Sequence, residues 1–177
     1  MKSQKFKKLE LSLASIESPL GPMTAASLND MIVGLWFDGQ KHFPNGLKRK
    51  VNYGDSRSLL ELKDWIEGYF KGIREKPLLI IAPMGTMFQQ RVWRETASIP
   101  HGRRSTYQKI AAALSSSPRA VASALSWNPI SLLIPCHRVL SSRGELCGYA
   151  GGLHRKQALL ELEDAVFQRN EETLGIN

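Results

Sequence analysis

At 177 residues, 42% apolar and 23% charged, the chain can bury a core, and its composition excludes a fibrous, collagenous or wholly disordered protein. No apolar run approaches the roughly 18 residues of a membrane helix. The basic stretch 1–8 leads into a segment holding Glu10 and Glu17 rather than an apolar signal core, so a cytoplasmic protein with reduced thiols is expected. The net charge of +8 favours a polyanionic partner, and its distribution sharpens the point. Between Thr96 and Gly144 there is no acidic residue, while Arg103, Arg104, Lys109, Arg119, Arg138 and Arg143 fall inside the window. That pattern reads as a nucleic-acid face, with a plain solvated basic surface as the alternative.

In chain order, residues 9–15 alternate with period two and predict a strand. Ser18-Pro19-Leu20-Gly21-Pro22 is a turn, and residues 23–28 and 31–37 are two strands joined by an Asn29-Asp30 hairpin turn. Leu59, Leu62, Ile66 and Phe70 have helical spacing and predict an amphipathic helix over 56–71. Leu78–Ile81 predicts a short buried strand. These elements make a small α+β structural domain over 1–85, with no chemical constellation in it and a boundary at Pro83-Met84-Gly85.

Residues 86–177 read as helices and loops. Phe88, Val92, Trp93, Thr96 and Ile99 mark one helix, stopped by Pro100. Ser105 or Thr106 caps a second, with Ile110, Ala111 and Leu114 inward. Pro118 opens a third that runs to about Trp127. Helix, tight turn, helix is the shape of a helix-turn-helix, and the small face of Ala120, Ala122, Ser123 and Ala124 beside Arg119 allows close approach to a partner. A packed alanine-rich core helix is the alternative.

An apolar strand over 130–134 is expected to deliver Pro135, Cys136, His137 and Arg138. The adjacent imidazole and cations are features that lower a thiol pKa, and a thiolate is a nucleophile that needs no cofactor. Cys136, His137, Cys147 and His154 are four potential zinc ligands, but their spacing is poor and there is no Cys-x-x-Cys pair. In the last helix Leu159, Leu162 and Val166 form the inner stripe. Glu163 lies about 40° from Leu159, inside that stripe, whereas Glu161 points away. A carboxylate there needs a partner. His137, as an oriented base, and Arg138, as a structural ion pair, are both open.

Ile134-Pro135-Cys136-His137-Arg138-Val139, followed by Gly148-Tyr149-Ala150-Gly151-Gly152-Leu153, resembles the active-site motif of the O6-alkylguanine-DNA alkyltransferases. Phe88–Trp93, Ile99-Pro100, Thr106-Tyr107, Arg119-Ala120-Val121, Asn128-Pro129, Ser18–Gly21 and Gly34–Phe37 extend the resemblance over nearly the whole chain. It implies a ribonuclease-H-like N-terminal domain and a mainly helical C-terminal domain with a helix-turn-helix in the minor groove. The implied reaction is a single, irreversible transfer from flipped O6-alkylguanine in duplex DNA to Cys136, by a monomer without cofactor or metal. O4-alkylthymine is a second candidate lesion.

By the same resemblance His137 takes the thiol proton through a water, Glu163 orients His137, and Asn128 ties the active-site turn. Arg119 fills the gap left by the flipped nucleotide, and Ala120 and Ser123 lie on the DNA-facing helix. Tyr107 crowds the phosphate, and Tyr149 donates to the guanine ring. The carbonyls of Cys136 and Val139 accept from its exocyclic amine, and the Ala150 amide meets O6. Cys147 departs from the family pattern at a pocket position, as do His101 and Met87 elsewhere. A non-catalytic lesion-binding relative, a cysteine hydrolase and a transcription factor are the rival readings; the first and last would not need Cys136.

Overall fold

The computed structural model describes residues 11–44, 52–53 and 56–174. Strands β1 (Leu11–Ile16), β2 (Met23–Leu28), β3 (Met31–Phe37) and β4 (Asn52–Tyr53) form one sheet in the order β3-β2-β1-β4, antiparallel except for β4 beside β1. Residues 9 and 10 of the expected first strand lie outside the described residues, and β4 was not expected. Asn29 and Asp30 both have positive φ, the backbone that a two-residue hairpin turn demands. Helix α1 (Arg57–Phe70) is capped by the Ser56 side chain, which accepts from Leu59 N. It buries Leu59, Leu62, Ile66 and Tyr69, each apolar side chain contributing roughly 1.5–3 kcal/mol.

Leu78–Ile81 is not a buried strand. Leu78 and Ile80 are exposed, and only Ile81 pairs, in a single bridge to Ile32. The apolar run was misleading because such a run has no periodicity to separate a strand from an extended tether.

Helix α2 (Met87–Ala97) starts with a capping box between Thr86 and Gln89 and ends short of Ile99. Helix α3 (Tyr107–Ala113) is capped by Thr106 and α4 (Pro118–Ser126) by Ser117, with Pro118 at its first position. Strand β5 (Ser105–Thr106) pairs in parallel with β6 (Val139–Leu140), and α5 (Leu153–Leu174) is the last described element. The side chain of Val166 lies outside the described residues. One buried cluster joins Leu35 and Phe37 of β3 and the inner face of α1 to Trp93, Val121, Ile130 and Leu159. The edge of β3 also bonds the later chain directly: Leu35 N–H donates to Pro129 O (2.8 Å) and Ser131 N–H to Leu35 O (2.8 Å). Among the described residues no helix is long and apolar enough to cross a membrane.

Candidate active site

Residues 130–134 do not form the strand expected from their composition. Ile130 makes one bridge to Leu35, Leu132 takes a left-handed φ of +66°, and Cys136–Arg138 is a single 3-10 turn. Asn128 builds this bend. Its Oδ1 accepts from Ile130 N (3.0 Å), and its Nδ2 donates to Ile134 O (2.8 Å) and to Cys136 Sγ (3.1 Å). The amide replaces the partners a neighbouring strand would have supplied. Asn128→Ala would orphan the buried Ile130 N–H and take one of its two donors from Ile134 O, which keeps only Cys136 N–H (2.8 Å), a loss of about 2 kcal/mol. Its expected effect is a fall in Tm of roughly 4–8 °C, read by thermal unfolding; an unchanged Tm would mean the bend holds without it.

The 3-10 turn sends adjacent side chains about 120° apart. Cys136 is nearly buried, and His137 and Arg138 meet α5. There Glu163, 1% exposed, accepts hydrogen bonds from four residues. His137 Nε2 lies 2.9 Å from Oε1, and Tyr69 Oη donates to Oε1 (2.8 Å). Arg138 binds in a fork, Nη2 to Oε1 (2.7 Å) and Nε to Oε2 (3.0 Å). Gly102 N–H donates to Oε2 (3.2 Å). Both partners left open by the sequence are therefore present. Burial alone would raise the Glu163 pKa, but the hydrogen bonds from His137 and Arg138 and the Arg138 charge outweigh it and hold the carboxyl far below its usual range. An ionised carboxylate only accepts, so the His137 proton sits on Nε2. Nδ1, buried and without a hydrogen-bond partner, carries the free lone pair of a base. Burial keeps His137 below its usual pKa, so at neutral pH it is uncharged.

The thiol differs from expectation. Burial raises the Cys136 pKa, with Asn128 and Lys156 only partly offsetting it. Arg138 does not activate the thiol because its guanidinium is spent on Glu163 and on Ile99 O (2.6 Å). Cys136 thus rests as a thiol that needs a base at the moment of reaction. Arg138, 5% exposed, is also no part of a surface DNA face. Of the other basic residues in the acid-free window, Arg104 pairs with Asp164 and Arg143 with Glu145, while Lys109 and Arg119 are exposed.

Cys136 opens onto a cavity of about 260 Å³ lined also by Lys41, Tyr107, Leu125, Tyr149 and Ala150. Burial pushes the Tyr149 pKa far up, so its hydroxyl remains a donor; Oη is buried with no well-formed hydrogen bond, although Ser131 is near enough to act on it. Gly151 is required behind it: a Cβ there would fall 2.7 Å from Tyr149 Cε1 and 3.2 Å from Phe37. Tyr107 forms the wall, its hydroxyl donating to Cys147 O (3.1 Å).

The family model described as the DNA-binding domain of 6-O-methylguanine DNA methyltransferase matches residues 87–165. A methylated-DNA–protein-cysteine methyltransferase of Mycobacterium leprae is 36% identical over 151 residues, covering 84% of this chain and 90% of that protein. One from Methanosarcina barkeri is 41% identical over 157 residues, covering 84% and 94%. The crystal structure of Mycobacterium tuberculosis O6-methylguanine methyltransferase superposes with a TM-score of 0.77 at 35% identity, covering 88% of this chain and 93% of that one. The same enzyme in complex with DNA gives 0.77 at 34% identity, covering 89% and 94%. The chain belongs to the methylated-DNA–protein-cysteine methyltransferase family.

Of the residues that the sequence singled out, the fold gathers Cys136, His137, Glu163, Asn128, Tyr107, Tyr149 and Ala150 at one site. Cys147 does not line the Cys136 cavity; it faces a neighbouring one with Tyr107, Pro118 and Ser142. Val139 is buried beneath, its carbonyl accepting from Lys156 Nζ (2.7 Å). Arg119 and Ser123 are exposed on α4, and Ala120 is half-buried. Sequence reasoning missed Tyr69, Gly102, Lys156 and Lys41. Only Lys156 carried a signal, as a charge in a helix where Leu159, Leu160 and Glu163 share its buried side.

Proposed function

We propose that this chain repairs alkylated guanine in duplex DNA by moving the alkyl group to Sγ of Cys136, once per molecule. Direct-reversal alkyl transfer to a protein cysteine is the activity of the family. The observation that carries the residue assignment is the nearly buried Cys136 on a cavity wall, with the His137–Glu163 pair behind it and Tyr149 facing the same space.

In the proposed step Sγ attacks the alkyl carbon, the carbon–O6 bond breaks, and guanine leaves with the bonding pair. The thiol proton passes by way of a water to Nδ1 of His137, and the resulting imidazolium is stabilised by Glu163. Tyr149 donates to the departing guanine, with the Cys136 and Val139 carbonyls and the Ala150 amide meeting its edge. The product thioether resists hydrolysis, so no turnover follows. Cys136 lies too deep to reach a stacked base, so the nucleotide must be swung out, at a cost of a few kcal/mol.

Helices α3 and α4 serve as the helix-turn-helix. Exposed Arg119 at the start of α4 fills the gap in the duplex, Ala120 and Ser123 approach the minor groove, and Tyr107 crowds the phosphate. The division at residue 85 is supported by a family model that begins at residue 87, and the four-stranded sheet with α1 before it serves as the ribonuclease-H-like unit. A cytoplasmic monomer acting on O6-alkylguanine, with O4-alkylthymine secondary, fits this reading.

The test compares repair of a duplex holding one O6-methylguanine with reaction of the free base O6-benzylguanine. Arg119→Ala is expected to lower the duplex-to-free-base rate ratio by on the order of a hundredfold, since only the duplex requires extrusion. An unchanged ratio would remove the finger role.

A further inference from the structure

The N-terminal half supplies one side of the Cys136 cavity, and it does so through a loop anchored to the later chain at three points. Following β3, the Lys41 N–H donates to Ala150 O (2.9 Å). The Ser131 hydroxyl donates to Gln40 Oε1 (3.4 Å). The His42 imidazole stacks on the Trp127 indole, ring centroids 3.6 Å apart and planes at 23°. His42 holds a φ of +61°, a left-handed backbone uncommon outside glycine, so the loop is kept in an unfavourable conformation that presents this ring to Trp127.

Lys41 lines the cavity with Cys136, Tyr107 and Tyr149 and is nevertheless exposed, which puts its side chain at the mouth. Trp127 follows the lining residues Leu125 and Ser126 and is 52% exposed, so part of its indole is open to solvent. The cavity lining holds no acidic side chain. A cationic group at the mouth and, through the stacked His42 that follows it, a braced aromatic face thus stand side by side. An extruded nucleotide has a base inside such a cavity and phosphates at its mouth, and a neighbouring unstacked base offers a π-face. Cation to phosphate and indole to base is the pairing used to hold single strands.

We infer that Lys41 and the His42-braced Trp127 form a strand-gripping rim, in which the Lys41 ammonium pairs with a phosphate of the extruded nucleotide and the Trp127 ring stacks on a base exposed beside it. The inference rests on the alkyl-transfer reading above. Lys41 and Trp127 are positioning residues: they hold the strand and take no part in the bond changes.

The test uses the full chain, a duplex with one O6-methylguanine, and the free base O6-benzylguanine, which has no phosphate and no neighbouring base. Lys41→Gln is expected to lower the duplex-to-free-base rate ratio by on the order of tenfold. It should also reduce the slope of log duplex rate against log salt by about 0.9, the value of one phosphate contact. Trp127→Ala should lower the same ratio by roughly tenfold with the salt slope unchanged, and Trp127→Phe should recover part of the loss. Variants that match the wild type, or that lose both substrates equally, would overturn the rim while leaving alkyl transfer in place. A wild type that leaves the duplex lesion intact would overturn the alkyl-transfer reading and the rim with it.

Discussion

Cys136→Ser is expected to abolish alkyl transfer to below detection while the protein stays folded and binds duplex DNA. The hydroxyl is close to the thiol in size and can still accept from Asn128 Nδ2, which lies 3.1 Å from Sγ. Packing around this nearly buried position should therefore survive. Nucleophilicity does not. Burial already raises the pKa of the thiol, and an alcohol in the same place ionises far less readily. His137 cannot compensate, because burial also keeps its basicity low. The check is a repair assay beside an equilibrium binding curve. Binding should weaken as salt rises, because phosphate contacts release counterions. Loss of binding together with transfer would mean that serine disturbs the fold, and residual transfer would place the acceptor elsewhere.

Glu163→Gln should be the second most damaging single change, in both stability and rate. The carboxylate neutralises Arg138 and accepts from Tyr69, Gly102 and His137. An amide turns an NH2 donor toward some of those donors and leaves the Arg138 charge buried and unbalanced. Breaking one member of a buried pair costs about 3–5 kcal/mol, or a fall of roughly 6–20 °C in Tm for a chain of this size. The cost is pH-dependent. Glu163 has a folded pKa depressed from its ordinary 4.5, so its contribution is full above that value and is lost as pH falls toward the folded pKa. The stability gap between wild type and variant should therefore narrow below about pH 4.5.

The rate carries a separate signature. If Glu163 works through His137, losing the carboxylate weakens the base, and the pH profile of Cys136 alkylation moves to higher pH. The rate at neutral pH should fall by on the order of a hundredfold. A purely through-space effect has the opposite sign, since an unbalanced Arg138 would draw the thiol pKa down. A downward or absent shift would leave Glu163 as the structural anchor of Arg138 alone.

Local signals reached much of this architecture. The two-residue Asn29-Asp30 turn, the Thr106 cap, Pro118 at a first helical position and the spacing of Leu59, Leu62 and Ile66 are nearest-neighbour physics, and the strands and helices they mark are present. Glu163 was legible for the same reason, as a charge out of place on an apolar helical face. What was illegible is long-range. Tyr69 meets Glu163 across 94 positions and Gly102 meets it across 61, and no periodicity reports such pairs. Lys41 carries no signal in the sequence; the hydrogen bond from its N–H to Ala150 O, 109 positions away, is what sets its loop against the cavity. The apolar run 130–134 looked like a strand because composition cannot register that one side chain, Asn128, ties its two ends together and bends it into a turn. The thiol pKa was misjudged because adjacency in sequence is not contact: Arg138 follows Cys136 by two residues but turns to α5.

The most direct test of the central claim is intact-mass measurement after incubation with excess duplex containing O6-methylguanine, followed by peptide mapping. The protein should gain one methyl group and no more, located on Cys136, with Cys147 unlabelled and the duplex repaired in equal amount. Sustained conversion of lesion beyond one per protein, or the methyl group on Cys147, would contradict the account.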